Sequence, residues 1–327
     1  MYTMKKICSF VLASALTAVC FSGCDSTSND MEEKFQIGIV QIIEHTSLNT
    51  IRETMLEELE KLGLDESKVE IDYKNAANDQ ANLNTICQKF VSDQKDLIVA
   101  IATPSALAAA NATEDIPIVF SAVTDPVSSG LMSDMEHPDS NITGTSDFVD
   151  AEKILELAFQ ITPDIQSMGL LYCSSEPNSK VVIDKAKAYL EAKNVDVKIK
   201  AVTNDAEIQQ AGTSLASEVD AMFSPIDNTV ANNMSILSEI CLDKKIPFYV
   251  SADSMVSDGG FATEGINYVD LGQKTAEIVK QIYDGMAIAD IPVVILKDTK
   301  TYINQTVAGQ LGITIPEEIS QSATFFE

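Results

Sequence analysis

The chain has 327 residues, 45% of them hydrophobic, and carries 49 acidic against 22 basic residues for a formal net charge of −27. A field of that sign repels nucleic acid and anionic headgroups, so it excludes partners held by phosphate contacts, and its spread along helix faces such as Glu53, Glu57, Glu58 and Glu60 reads as solubility. Two widely separated histidines, His45 and His137, exclude an ordinary zinc centre, and the lone cysteines Cys87, Cys173 and Cys241 read as buried thiols.

In chain order, residues 1–23 read as a secretory leader: Lys5 and Lys6 open it, an apolar core follows over 7–21, and Ser22 and Gly23 precede Cys24. The core is too short for a membrane span, and no later segment reaches the roughly 18 apolar residues a span needs. Phe21, Ser22, Gly23 and Cys24 resemble the bacterial lipobox, with Phe21 where that pattern prefers leucine. The resemblance implies lipidation of Cys24. Residues 24–34 are polar and acidic and read as a flexible tether. Losing the leader removes two lysines and takes the net charge to −29.

From residue 34 the pattern alternates. A strand over 34–43 leads to an amphipathic helix over 48–62 closed by Gly63, then a strand over 69–73 and a helix over 81–91. Residues 96–127 form a complete strand, helix, strand unit, with Thr103 as expected N-cap and Pro104 in the first turn. That joint aims unpaired N–H groups beyond the strand end, where an anion can sit. After a turn-rich stretch at 133–141, helix 151–161 opens a second series, with strands at 168–172 and 195–201 and helices at 180–193 and 206–217. Residues 220–255 repeat the logic of 96–127, with Ile246 and Pro247 matching Ile116 and Pro117. The predicted class is α/β, two doubly wound parallel-sheet lobes with a cleft beyond the carboxyl ends of the strands.

The runs ATPSALAAAN, DIPIVFSAVTDPV, NITGTSDFVD, DNTVANN, KIPFYV and YINQTVAGQLGITIP resemble the substrate-binding lipoproteins of ABC importers, in the group that includes tryptophan- and tyrosine-binding members. The resemblance covers nearly all of the chain beyond the leader. It implies a type I periplasmic-binding-protein fold with crossover hinge strands, near Thr145, Ala252 and Ile288, and hence an N-terminal lobe of 35–145 plus 253–287 and a C-terminal lobe of 146–252 plus 288–327. It implies capture of a small ligand, an aromatic amino acid being favoured, by lobe closure, with permease and ATPase subunits as partners and an extracytoplasmic, lipid-anchored location on the cell membrane. Other small solutes, such as a sugar or nucleoside, and a surface-adhesin role are the alternatives. No G-x-S-x-G, G-x-G-x-x-G or P-loop motif is present, so neither an enzyme nor a cofactor is expected.

An amino acid needs an acidic acceptor for its ammonium, donors for its carboxylate and an apolar wall. Thr103 and Ser105, with Ser174 and Ser175 opposite, are the expected carboxylate donors, and Asp227, Asp147 and Asp125 the candidates for the ammonium, Asp227 first. Glu44 and His45 could border the side-chain pocket. Pro104, Ser121, Ala122, Ser146, Asn228, Ala252 and Asp253 complete the candidate ligand-binding set at the same strand ends. Thr103 and Asp227 are expected to face one another across the cleft.

Overall fold

The structure is a computed structural model that describes residues 33–327; the leader, Cys24 and most of the tether lie outside the described residues. The first series runs β1 (Phe35–Gln41), α1 (Thr46–Lys61), β2 (Val69–Asn75), α2 (Gln80–Ser92), β3 (Leu97–Ile101), α3 (Thr103–Ala112), β4 (Ile118–Ser121) and β5 (Ile142–Ser146). The second runs α4 (Ala151–Ile161), β6 (Ser167–Cys173), α5 (Pro177–Ala192), β7 (Asp196–Val202), α6 (Ile208–Ala216), β8 (Ala221–Ser224), α7 (Asn228–Asn232), α8 (Met234–Lys244), β9 (Phe248–Val250), α9 (Asp253–Ser257) and β10 (Ala262–Gly265). Then come α10 (Tyr268–Tyr283), β11 (Val294–Ile295), β12 (Lys300–Asn304), α11 (Gln305–Leu311), α12 (Glu317–Ser320) and β13 (Thr324–Phe326).

The strands form two sheets, ordered β2-β1-β3-β4-β5-β11 and β7-β6-β8-β9-β10-β12-β13. Every pairing is parallel except β10 with β12. Central strands buried on both faces must be apolar throughout, and β3 (LIVAI) is buried at all five positions.

The repeat read from residues 96–127 and 220–255 extends to whole lobes, because the first five strands of each sheet share one order. Matching polar contacts pin the same points. Asp96 accepts the Gln36 N–H at 2.7 Å, as Asp220 accepts those of Gln166 and Ser167 at 3.0 and 2.8 Å. The Pro117 and Pro247 carbonyls accept the N–H of Ile98 and of Met222, each at 2.9 Å. The first strand of each lobe also carries a glycine where a helix approaches closely: a Cβ at Gly38 would stand 2.7 Å from the Phe90 ring, and one at Gly169 2.6 Å from Leu215. Overpacking of this kind costs roughly 1–3 kcal/mol. Gly38→Ala and Gly169→Ala should each lower unfolding free energy by about that much in urea titrations, with no change in slope.

The chain changes sheet three times, and two of the changes fall later than expected. The first lies between β5 and α4, close to Thr145. The second was expected near Ala252, but β10 pairs with β9 in the second sheet, so the change follows Gly265. The third follows β11, which pairs with β5 through Val294 and Thr145, and not Ile288. The short helix and strand at 253–265 follow the parallel order of their own sheet, a pairing preference that sequence alone does not display. Helix α10 returns to the first sheet: the Thr275 hydroxyl lies 2.7 Å from that of Ser121 and 3.0 Å from that of Thr145, and Phe35 packs edge-on against Tyr283.

Candidate functional site

In a sheet of order 2-1-3-4-5, the crevice opens where neighbouring connections leave on opposite faces, beside strands 1 and 3. Here those points are the loops after β1 and β3, bearing His45 and Thr103, and after β6 and β8, bearing Glu176 and Asp227.

Helix α3 begins without a side-chain cap. Its N-cap is Ala102, not Thr103 as expected, and Thr103 and Pro104 are its first helical residues. Ala102 stands at φ 76 and ψ 156, a region that costs a residue with a Cβ about 1–3 kcal/mol, and its neighbour Ala122, after β4, at φ 57. The two are joined side by side, since the Ala102 N–H donates to Ser121 O at 2.8 Å. The strained turn leaves the start of a 10-residue helix uncapped. The Thr103 and Ser105 hydroxyls there are buried and without hydrogen-bonding partners among the described residues.

The same is true of Asp147 Oδ1, His45 Nδ1 and Asn178 Oδ1. Asp147 is 1% exposed; its other oxygen accepts the Tyr268 hydroxyl at 3.3 Å, and burial pushes its pKa up to about 6 against the pull of the Thr124 and Tyr268 hydroxyls. Four carboxyls are displaced upward in the described residues, Asp147, Glu176, Asp227 and Asp253, each chiefly by burial. All four follow carboxyl ends of strands. None belongs to an ion pair among the described residues. Desolvated carboxyls without a protein cation favour a cationic group from outside.

Several expected site residues are engaged elsewhere. Asp227 is fully buried, but Oδ2 accepts the Cys173 N–H at 2.7 Å and the Ser179 hydroxyl at 2.7 Å, while Oδ1 caps α7 through the Val230 N–H at 3.0 Å. It binds its own lobe together, which corrects its first rank for the ammonium. Asp125 closes a turn on Ser128. Ser174 and Ser175 are exposed and donate to the Val202 and Thr203 carbonyls, so they do not supply the opposing donors. Glu44 is exposed and meets Arg52, the single arginine of the chain, and the Tyr73 hydroxyl. The Ser146 hydroxyl donates to Thr124 O. Ser121 is locked between Thr145 and Thr275. Ser121→Ala should therefore lower stability by about 1–3 kcal/mol and leave ligand affinity unchanged, measured by urea unfolding and calorimetry on one preparation. Asp253, with its pKa pushed up to about 6, accepts the Ser254 N–H at the start of α9, whose N-cap is Ala252.

Sequence reasoning missed Glu176 and Asn178, which stand beside the two serines it chose. Glu176 is 4% exposed and takes four donors: the Asn228 N–H and Nδ2 at 3.0 and 2.6 Å, and the Thr229 N–H and hydroxyl at 2.9 and 3.2 Å. An acidic residue directly before the Pro177 helix start was the available signal.

Three sets of polar contacts join the lobes. His45 Nε2 lies 3.1 Å from Asn228 Oδ1, Asn78 Nδ2 donates to Asp205 at 2.8 Å and to Thr229 at 3.3 Å, and the Ser47 and Ser254 hydroxyls are in contact. These bonds hold the two lobes together in this structure.

A family model described as ABC transporter substrate binding protein matches residues 36–326. The tyrosine-binding protein of Clostridioides difficile is 39% identical over 316 residues, 93% of this chain and 92% of that protein. Among solved structures, the ABC domain in complex with L-Trp from Streptococcus pneumoniae is 37% identical, with a TM-score of 0.87 over 90% of this chain and all of that one. A ligand-free, open substrate binding protein with adhesive properties from Clostridium difficile is 40% identical over 89% of this chain and 99% of that one, but its TM-score is 0.67. At matched identity the lower score goes with the open form, in keeping with the contacts between the lobes. The two-lobed fold is that of type I periplasmic binding proteins.

Proposed function

The chain belongs to the family of ABC transporter substrate binding proteins, extracytoplasmic receptors by family, and from that premise we propose that it captures an aromatic amino acid between its lobes for import. One observation carries this reading: buried polar atoms without partners among the described residues fall into complementary sets. Thr103, Ser105 and the uncapped start of α3 offer donors and a positive helix end, which suit a carboxylate. Asp147 Oδ1 offers a desolvated negative acceptor, which suits an ammonium. A zwitterion satisfies both. The aromatic side chain is supported by two relatives, one solved in complex with L-Trp at 37% identity and one named a tyrosine-binding protein at 39%. Permease and ATPase subunits as partners follow from the family, and a lipid anchor at Cys24 from the lipobox resemblance. Among the described residues no helix is long and apolar enough to cross a membrane.

Isothermal calorimetry against Tyr, Trp, Phe, a hexose and a nucleoside tests the reading. One or more aromatic amino acids should bind saturably and be recovered unaltered, and at 100 times the dissociation constant should add about 2.7 kcal/mol to stability. Binding of the hexose alone would overturn it. The Ser47 and Ser254 hydroxyls meet between the lobes, and if closure on the ligand makes that contact, Ser254→Ala should weaken binding by about 3- to 10-fold, the worth of one hydrogen bond, without altering unliganded unfolding.

A further inference from the structure

His45, at the same edge of the first sheet, carries an orphaned buried nitrogen that the zwitterion leaves unused. Its ring nitrogens are distinguished by what surrounds them. Glu176 Oε2 holds both the Asn228 N–H and the Asn228 side-chain nitrogen, which turns the Asn228 carbonyl oxygen toward His45 Nε2 at 3.1 Å. An oxygen there requires Nε2 to carry the hydrogen, so Nδ1 keeps its lone pair. That lone pair is buried and has no partner among the described residues. Burial also lowers the His45 pKa, with the Asn228 bond and the Asp258 charge opposing, and so keeps the ring neutral.

We propose that His45 Nδ1 is the specificity-determining acceptor for a hydrogen-bond donor on the ligand's ring, a phenol O–H or an indole N–H, with Asn228 and Glu176 as the positioning residues that set its tautomer. The inference rests on the functional reading above and deepens it. Strand order supports the division of labour. Asp147 follows β5, Thr103 follows β3 and His45 follows β1, so the ammonium and ring acceptors lie three strand spacings apart, about 14 Å between strand axes, with the carboxylate donors between them. A ligand as long as Tyr or Trp, hydrogen-bonded at both ends, spans side chains that lean in from that separation. Phe fills the same space but leaves Nδ1 buried and unpaired, and a site built to bond a ring hydroxyl or N–H rejects the analogue that lacks it.

The test measures Tyr, Trp and Phe affinities for the wild type, His45→Gln and His45→Asn, together with the nitrogen-15 spectrum of His45. The wild type should prefer Tyr or Trp over Phe by at least about tenfold. Gln places its amide near the Nε2 position and nothing at Nδ1, so the preference should fall below about threefold; Asn places its amide oxygen near Nδ1 and should keep it. The spectrum should show the neutral Nε2–H tautomer. Equal wild-type affinities for all three, a preference undiminished in His45→Gln, or an Nδ1–H tautomer overturns this inference while the functional reading stands. Wild type that binds none of the three overturns the functional reading, and this inference with it.

Discussion

Replacing Asp147 with asparagine should weaken aromatic amino-acid binding by about 100-fold or more and make the unliganded protein more stable. Both effects have one cause. Asp147 is buried with a 3.3 Å bond from Tyr268 and no cation among the described residues, and burial raises its folded pKa to about 6 from an ordinary 3.8. A carboxyl whose folded pKa is raised contributes stability that is fully present below its unfolded pKa and lost as pH rises through the folded one. At pH 7 the charged form therefore costs the empty protein about 3 kcal/mol, a cost that asparagine removes. An arriving ammonium restores the missing partner, and losing one member of a desolvated charge pair costs about 2–5 kcal/mol of binding. Wild-type affinity should thus fall about tenfold per unit below pH 6, with protons released on binding there. Calorimetry in buffers of different ionisation enthalpy reads both quantities. An Asp147→Asn protein that binds within threefold of wild type would remove Asp147 from the site.

Asp227 should respond in the opposite way. Asp227→Ala strands three buried donors, the Cys173 N–H, the Ser179 hydroxyl and the Val230 N–H. Unsatisfied buried groups of this kind add up to a loss of about 3–5 kcal/mol in unfolding free energy. Affinity of the folded fraction should change by less than about tenfold, because no oxygen of Asp227 remains free for a ligand. Its neighbour Glu176 is raised to about 8, by burial first and by the Asp227 charge second. By the same sign rule, stability from this pair is full below the unfolded carboxyl pKa and declines as pH rises through about 8. Glu176→Gln should flatten that alkaline decline. A collapse of affinity in Asp227→Ala with stability intact would return the ammonium to Asp227.

The contrast between these carboxyls marks where sequence reading stopped. The alternation from residue 34 onward, the repeat matched at Ile116-Pro117 and Ile246-Pro247, and the strand ends at which the buried carboxyls cluster were all legible. Each rests on local periodicity or on turn chemistry confined to a few residues. Choosing among Asp125, Asp147 and Asp227 was not, since an aspartate that caps a helix and one left for a ligand have the same local signature. What separates them is whether distant backbone, such as the Cys173 N–H 54 residues from Asp227, arrives to fill its oxygens.

The sequence by itself determined the α/β class, the two repeated lobes and the edge of each sheet at which polar residues gather, because parallel strands buried on both faces and their helix starts write themselves into composition and spacing; the family came from the resemblance of whole runs to known members. Only the tertiary structure decided that β10 stays with the second sheet, that Ala102 and not Thr103 precedes α3, and that Asp147 Oδ1 and His45 Nδ1 are left without partners among the described residues while both oxygens of Asp227 are bonded. Those outcomes depend on which groups segments far apart in the chain bring within hydrogen-bonding distance, and a buried polar atom becomes available to a ligand only when all such groups have gone elsewhere.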